Sequence, residues 1–207
     1  TLDRNTLGLN STQKFGKFTA TTNIKYIHDD MIGAPRLSDS PGNANYGIRV
    51  FAPNIDVDNM RGPGGLGTNL DGSEFRTSDN TFSQNPWFAA YQYFNNSVKE
   101  RVIGSAELRM DITDFLYAKG RFGIDRYDYY RTSGTPYGTA YQPLGSMSEF
   151  KLTRQQRDID FFIGTDNLEI VDDLSLTAFV GYNQNYIESE SVTASGSQFI
   201  VPFLYNV

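Results

Sequence analysis

The chain has 207 residues, a formal charge of −6 and no cysteine. No disulfide framework, zinc–thiolate centre or cysteine nucleophile can be built from it, and the net negative charge argues against a nucleic-acid binder, which would normally show a basic face. Aromatic residues make up 14% and Gly occurs 19 times, a bias toward β-structure, while no apolar run approaches the roughly 20 residues of a transmembrane helix.

The first alternating segments predict a hairpin over about 4–28. Leu7 and Leu9 lead to Phe15, Gly16 and Lys17 turn the chain, and Phe18, Ala20, Ile24 and Tyr26 then oppose Thr19, Thr21, Asn23 and Lys25. A long connection over about 29–98 follows, rich in Gly, Pro, Asn, Asp and Ser. Within it, Ser40 before Pro41 fits the N-cap and first position of a short helix through Val50. Asp56, Asp58 and Asn59 offer oxygens for an incidental calcium ion, but Met60 stands at the fifth position of an EF-type loop. The stretch GPGGLGTNLDG lacks the lysine of a phosphate-binding loop. Loop geometry is the simpler reading of both.

The second hairpin is predicted over about 99–130, turning near Thr113 and Asp114. Val102, Gly104, Ala106, Leu108, Met110 and Ile112 share one parity, against Arg101, Ser105, Glu107 and Arg109. Beyond the turn, Leu116, Ala118, Gly120, Phe122 and Ile124 oppose Tyr117, Lys119, Arg121 and Asp125. A connection over about 131–149 precedes the third hairpin, about 150–187. There Ile159, Phe161 and Ile163 alternate with Asp158 and Asp160, a turn is expected at Asp172 and Asp173, and Leu174, Leu176, Ala178, Val180 and Tyr182 return. A last loop covers about 188–207.

Short turns and long loops therefore alternate strictly, as in outer-membrane barrels. Strands in soluble domains peak near 5–6 residues, whereas Glu100–Ile112 alternates throughout. The predicted fold is all-β: antiparallel up-and-down strands of a transmembrane β-barrel, about six of them. Val102, Ala106, Leu108, Met110, Leu116, Phe122, Ile124, Leu176 and Val180 are expected to face lipid, and Arg101, Glu107, Arg109, Lys119 and Arg121 the lumen. Tyr26, Phe115, Tyr117, Tyr127, Tyr129, Tyr130, Tyr182 and Tyr186 fall near strand ends, where interfacial girdles lie. A second reading keeps the same strands in a soluble or surface-attached binding or adhesive module, with the long loops as its contact surface. Six strands cannot close a wide pore, and open edges are untenable in lipid, so a segment of a larger protein is expected.

The stretch NPWFAAYQYFNNSVKERVIGSAELRMDITDFLYAKGRFGID, with TPYGTAY, DIDFFIGTD and VPFLYN after it and DRNTLGLNSTQKFGKFTATTNIKYIHDD before it, resembles the barrel region of SusC/RagA-type TonB-linked outer-membrane proteins of Bacteroidota. The order and spacing of these elements carry the resemblance, which spans essentially the whole chain. It implies an importer of glycans, peptides or other nutrients, located in the bacterial outer membrane among its lipid and lipopolysaccharide. The family further implies a SusD-like surface lipoprotein as lid, and coupling to TonB through a plug and TonB box that these residues do not contain.

Trp87, Tyr91 and Tyr93, with Tyr137 and Tyr141, then become candidates for ligand or lid contact, with packing among the loops as the alternative. No enzyme is expected. The carboxylate pairs Asp158/Asp160 and Glu107/Asp111 fit a compensated polar face, and His28, the single histidine, provides for neither a metal cluster nor a serine triad. No cofactor is expected beyond the incidental calcium.

Overall fold

The computed structural model describes residues 1–51, 53–171 and 174–206. Six strands form one antiparallel sheet whose spatial order is the chain order. They are β1 (Leu2–Phe15), β2 (Phe18–Met31), β3 (Phe94–Asp111), β4 (Leu116–Thr135), β5 (Ser146–Val171) and β6 (Leu174–Ser197). The result is an up-and-down sheet like part of a β-barrel, with β1 and β6 as its edges.

At one end of the sheet the connections are tight. Phe15 pairs with Phe18 across Gly16 and Lys17, and Gly16 supplies the positive φ (60°) that a two-residue hairpin turn of this hand requires. Between β3 and β4, Thr113 Oγ1 accepts from the Leu116 amide at 3.0 Å, and the Ile112 amide donates to the Leu116 carbonyl at 2.8 Å. The expected turn at Asp172 and Asp173 lies outside the described residues, although Val171 and Leu174 pair on either side of it. Two register irregularities in β5 precede that turn, and the first brings Leu168 opposite Leu176.

Register fixes which residues share a face. Leu9, Ile24, Gly104, Ile124, Arg157 and Tyr186 form one transverse row, and Gln13, Ala20, Leu108, Gly120, Phe161 and Tyr182 another. All nine residues expected to face lipid fall on this side of the sheet. That face is apolar and uncovered: Leu7 is 72% exposed, Leu108 47% and Val180 73%. The apolar parity ends abruptly toward the long loops. Beyond Leu7, Tyr26 and Val102, the next row on the same face is Asn5, His28, Glu100, Asp128, Thr153 and Glu190.

The strands do not stop at that boundary. β3 continues outward to Phe94, β4 to Thr135, β5 starts at Ser146 and β6 reaches Ser197. The spans 131–149 and 188–207, expected as loops, are therefore about half ladder: residues 131–135, 146–149 and 188–197 belong to strands. At about 3.3 Å per residue, β3 alone runs about 25 Å past Val102. Both faces of this extension are polar, so it lacks the alternation that marks a half-buried strand.

Short helices punctuate the first long loop. Helix α1 spans Ala44–Val50 and is capped by Asn43, whose side chain accepts from the Asn45 amide at 3.1 Å. The start expected at Ser40 and Pro41 fails because Gly42 takes φ 91° and interrupts any helical run there. A second helix, α2 (Pro86–Tyr91), carries the Asn cap and leading Pro that favour a helix start.

Candidate functional site

Two regions concentrate polar chemistry: the face of the sheet opposite the apolar one, and the cluster of long loops at its outer end. On the polar face, Arg101, Glu107, Arg109, Lys119 and Arg121 all share one parity with Asp125 and Asp160. Arg101 Nε donates to Asp125 at 2.8 Å, Arg109 reaches Asp111 at 2.7 Å and Asp166 at 2.5 Å, and Lys119 lies 3.4 Å from Glu107. Arg121 Nε donates to Asp160 at 2.6 Å, and Asn183 donates to the other Asp160 oxygen. Asp158 accepts from Asn185 and from Gln156. The carboxylates at Asp158 and Asp160 are thus engaged in holding adjacent strands together.

Tyr117, Tyr127 and Tyr129 do not join a girdle on the apolar side. They belong to the polar face, where cations stack on two of them: Arg109 lies 4.1 Å from the Tyr117 ring centroid, and Lys99 Nζ 4.5 Å from that of Tyr127. Of the proposed girdle, Tyr26, Tyr130, Tyr182 and Tyr186 do share the apolar parity. Tyr182 sits well inside β6 because that strand runs much further than its alternation indicated.

The loop cluster is organised around two buried polar residues. Asn85 is fully buried. Its Oδ1 caps α2 by accepting from the Trp87 amide at 2.9 Å, and its Nδ2 donates to the carbonyls of Met60 (2.6 Å) and Phe75 (2.8 Å). Glu74, 4% exposed, accepts from the Asn85 amide through Oε1 and from the Ala140 amide through Oε2, each at 2.9 Å. One carboxylate therefore ties the first long loop to the second. Met60, Phe88 and Ala89 provide the apolar core around them. Gly67 presses so closely on α2 that a Cβ there would lie 2.2 Å from the Phe88 nitrogen. The C-terminal segment joins the cluster through Tyr205, whose hydroxyl accepts from the Tyr137 amide at 2.8 Å.

Burial pushes the Glu74 carboxyl above its ordinary value, outweighing the amides of Ala140 and Asn85 and the Gln84 side chain, which favour the ion. With a folded pKa above the unfolded one, docking of the loops is strongest below the ordinary range near 4.5 and weakens as pH rises through the folded value. Glu74→Gln is expected to flatten this dependence. Hydrogen exchange of the Asn85 and Ala140 amides, corrected for intrinsic rates, checks it: a wild-type profile flat in pH would count against the linkage.

The five candidate aromatics are engaged within this cluster. Trp87 stacks on Tyr91 at 5.6 Å, donates from Nε1 to Val57 at 2.7 Å and carries Arg61 3.7 Å from its ring. Tyr93 meets Phe88 edge-on and receives the Gln84 amide at 2.7 Å, and burial raises its phenol well above the ordinary value. Tyr141 stacks on Phe82 and Tyr137 packs against Phe203. Tyr91 alone among them remains mostly exposed, at 58%. The acidic residues of the first loop have local roles too: Asp56 caps the short 3-10 turn Val57–Arg61, and Asp58 pairs with Arg61 at 3.0 Å. His28 lies 3.6 Å from Glu100. No group of three or more metal-ligating side chains converges among the described residues, and no helix among them is long and apolar enough to cross a membrane.

What sequence reasoning missed is Glu74 and Asn85. The signal for Asn85 was present in the pair Asn85-Pro86; Glu74 gave none, because one glutamate in a polar loop carries no pattern.

No family model matches the chain, and no curated protein matches it in sequence. Among solved structures, the RagAB peptide importer in its closed-closed state matches 99% of this chain with a TM-score of 0.69 at 15% identity. A structure of the RagAB peptide transporter matches 99% with a TM-score of 0.65 at 16% identity. This chain spans 22% of the length of either. At such identities the likeness is one of fold, and that fold is the six-stranded up-and-down sheet of a partial β-barrel whose matched proteins are transporters.

Proposed function

We propose that these residues form part of the barrel wall of an outer-membrane nutrient importer, with peptides as the cargo class. The observation that carries this reading is the division of one sheet into two opposed faces. One is apolar and uncovered, from Leu9 and Ile24 through Leu108 and Phe122 to Phe161 and Val180. The other is knit by Arg–Asp pairs. An uncovered apolar face of this extent is unfavourable in water and favourable in hydrocarbon. A β-sheet tolerates lipid only when its edges are paired, so β1 and β6 pair with further strands of a closed barrel. The polar face then lines the lumen, and the loop cluster caps the outer mouth. Nine residues of β3, Val102–Met110, cover the apolar zone, in keeping with the about 9–11 of a tilted membrane strand.

In this arrangement the sheet contributes wall and mouth. Import would further require a plug, energy coupling through TonB and a lid lipoprotein of the SusD type, all supplied by other chain or other proteins. Support comes from the fold of the RagAB matches and from the sequence resemblance. Tyr91, exposed beside Trp87, is the aromatic best placed to touch cargo or lid. The test is uptake of a labelled peptide mixture by cells carrying or lacking the full-length protein. Loss of uptake on deletion, restored by the wild-type gene, is the expected result; unchanged uptake would count against import.

A further inference from the structure

The part of the sheet that projects beyond the apolar zone carries opposite charge on its two faces. On the polar face, from the row of Arg101 outward, Arg4, Lys99, Arg131 and Arg154 join Arg101, against Asp29 and the adjacent Asp125. On the other face of the same projection, Asp30, Glu100, Asp128, Glu149, Glu188 and Glu190 outnumber Arg126, Lys151 and Arg157. The chain as a whole is acidic, so a basic zone confined to one face runs against its composition.

A cavity of about 220 Å³ opens in that basic zone, lined by Arg4, Asp29, Lys99, Tyr129 and Arg131 among others. Arg4 and Asp29 neutralise each other through two hydrogen bonds of 2.6 and 2.9 Å. Lys99 and Arg131 form no direct ion pair among the described residues, although Lys99 also lies in the field of the Asp29 and Asp125 carboxylates, which Arg4 and Arg101 engage directly. Lys99 lies 4.5 Å from the centroid of the Tyr127 ring and Arg131 5.7 Å from that of Phe150. Aromatic faces hold both cations in place without neutralising them. Two such cations, fixed beside a cavity, match oxyanions entering from solution.

We propose that this cavity is a binding site for the carboxylates of acidic peptide cargo, positioned at the outer end of the lumen. The proposal rests on the import reading above and adds a charge preference to it. Lys99 and Arg131 make the contacts, Tyr129 provides a hydroxyl and a ring beside them, and the Arg4–Asp29 pair forms the neutral floor. Attraction of this kind both concentrates cargo at the mouth and selects among peptides.

The experiment uses the full-length protein and a short Gly/Ser peptide with an amidated C-terminus carrying Glu, compared with the same peptide carrying Gln at those positions. At low ionic strength the Glu peptide is expected to bind about tenfold tighter, with the ratio shrinking as salt is added. The double variant Lys99→Gln/Arg131→Gln weakens the Glu peptide more than the Gln peptide and brings the two to parity. Charge reversal, Lys99→Glu/Arg131→Glu, shifts the preference to a Lys-bearing peptide. Equal binding of the Glu and Gln peptides by the wild type, or equal weakening of both by the variants, would overturn the site while leaving import standing. Failure of the wild type to bind or take up any of the peptides would remove the import reading and the site together.

Discussion

Leu108→Arg is expected to destabilise the protein in a bilayer by about 2–4 kcal/mol. Leu108 stands opposite Ala20 and Gly120, in the middle of the apolar face and 47% exposed. An arginine there has no partner on its own face, since the nearest rows contribute Thr22, Ala106 and Phe122 on one side and Phe18, Met110 and Ala118 on the other. In hydrocarbon the guanidinium must bend toward the interface or draw water inward, and either route is costly. Equilibrium unfolding of the full-length protein from lipid vesicles measures the effect. Ser105→Arg, one face over and opposite Asn23 and Gly123, is the control and should cost under about 1 kcal/mol. The pair separates the two solvents: in water an exposed Leu108 tolerates arginine to within about 0.5 kcal/mol, and the two substitutions would then look alike.

Asn85→Ala should cost the loop cluster about 3–5 kcal/mol, adding a lost helix cap to buried carbonyls left without a donor. The substitution removes the acceptor for the Trp87 amide and the donors to Met60 and Phe75. It spares the sheet, whose strands are held by their own ladders. The loss is therefore local. Hydrogen exchange should show the Phe75 and Ala89 amides, which bond to Gly67 and Asn85, losing protection while mid-sheet amides of β3 and β4 keep theirs. Asn85→Asp separates the two contributions, because it keeps the cap acceptor and removes the donors. Unchanged protection at Phe75 in the alanine variant would mean that the loops are held by contacts other than Asn85.

How much could be read from sequence followed the solvent on either side of each strand. Between Val102 and Ile124 one face is apolar and the other charged, so period-two hydropathy marks strands and faces together, and the register later placed the chosen residues on common sides. Outside that zone both faces are polar. The first half of β5, SMSEFKLTRQQ, and the second half of β6, ESESVTASGS, contain no alternation to find. Backbone pairing alone extends them, and pairing leaves little trace in composition. The tyrosines misled for a different reason: nearness to a strand end in sequence suggested a girdle, but Tyr117 and Tyr127 lie one parity away from the apolar face, where cations cover them.

The loops show a second limit. Asn85 and Pro86 form a local signature for the start of α2, although no helix was expected there, whereas the convergence of Glu74 on Ala140, 66 residues away in sequence, is set by tertiary packing. The same holds for the aromatics. Their types suited ligand contact, and the structure engages most of them in stacking and hydrogen bonds among the loops.

An apolar face in lipid and an opposite face in water would alternate residue by residue along β3. The chain's lack of cysteine allows single cysteines to be placed in turn from Arg101 to Met110 and spin-labelled in the full-length protein reconstituted in vesicles. Accessibility to oxygen and to a water-soluble nickel chelate is then read at each position. The expected result is a strict two-residue period, with even positions open to oxygen and closed to nickel, and odd positions the reverse. Equal nickel access on both faces, or a period of opposite phase, would contradict it.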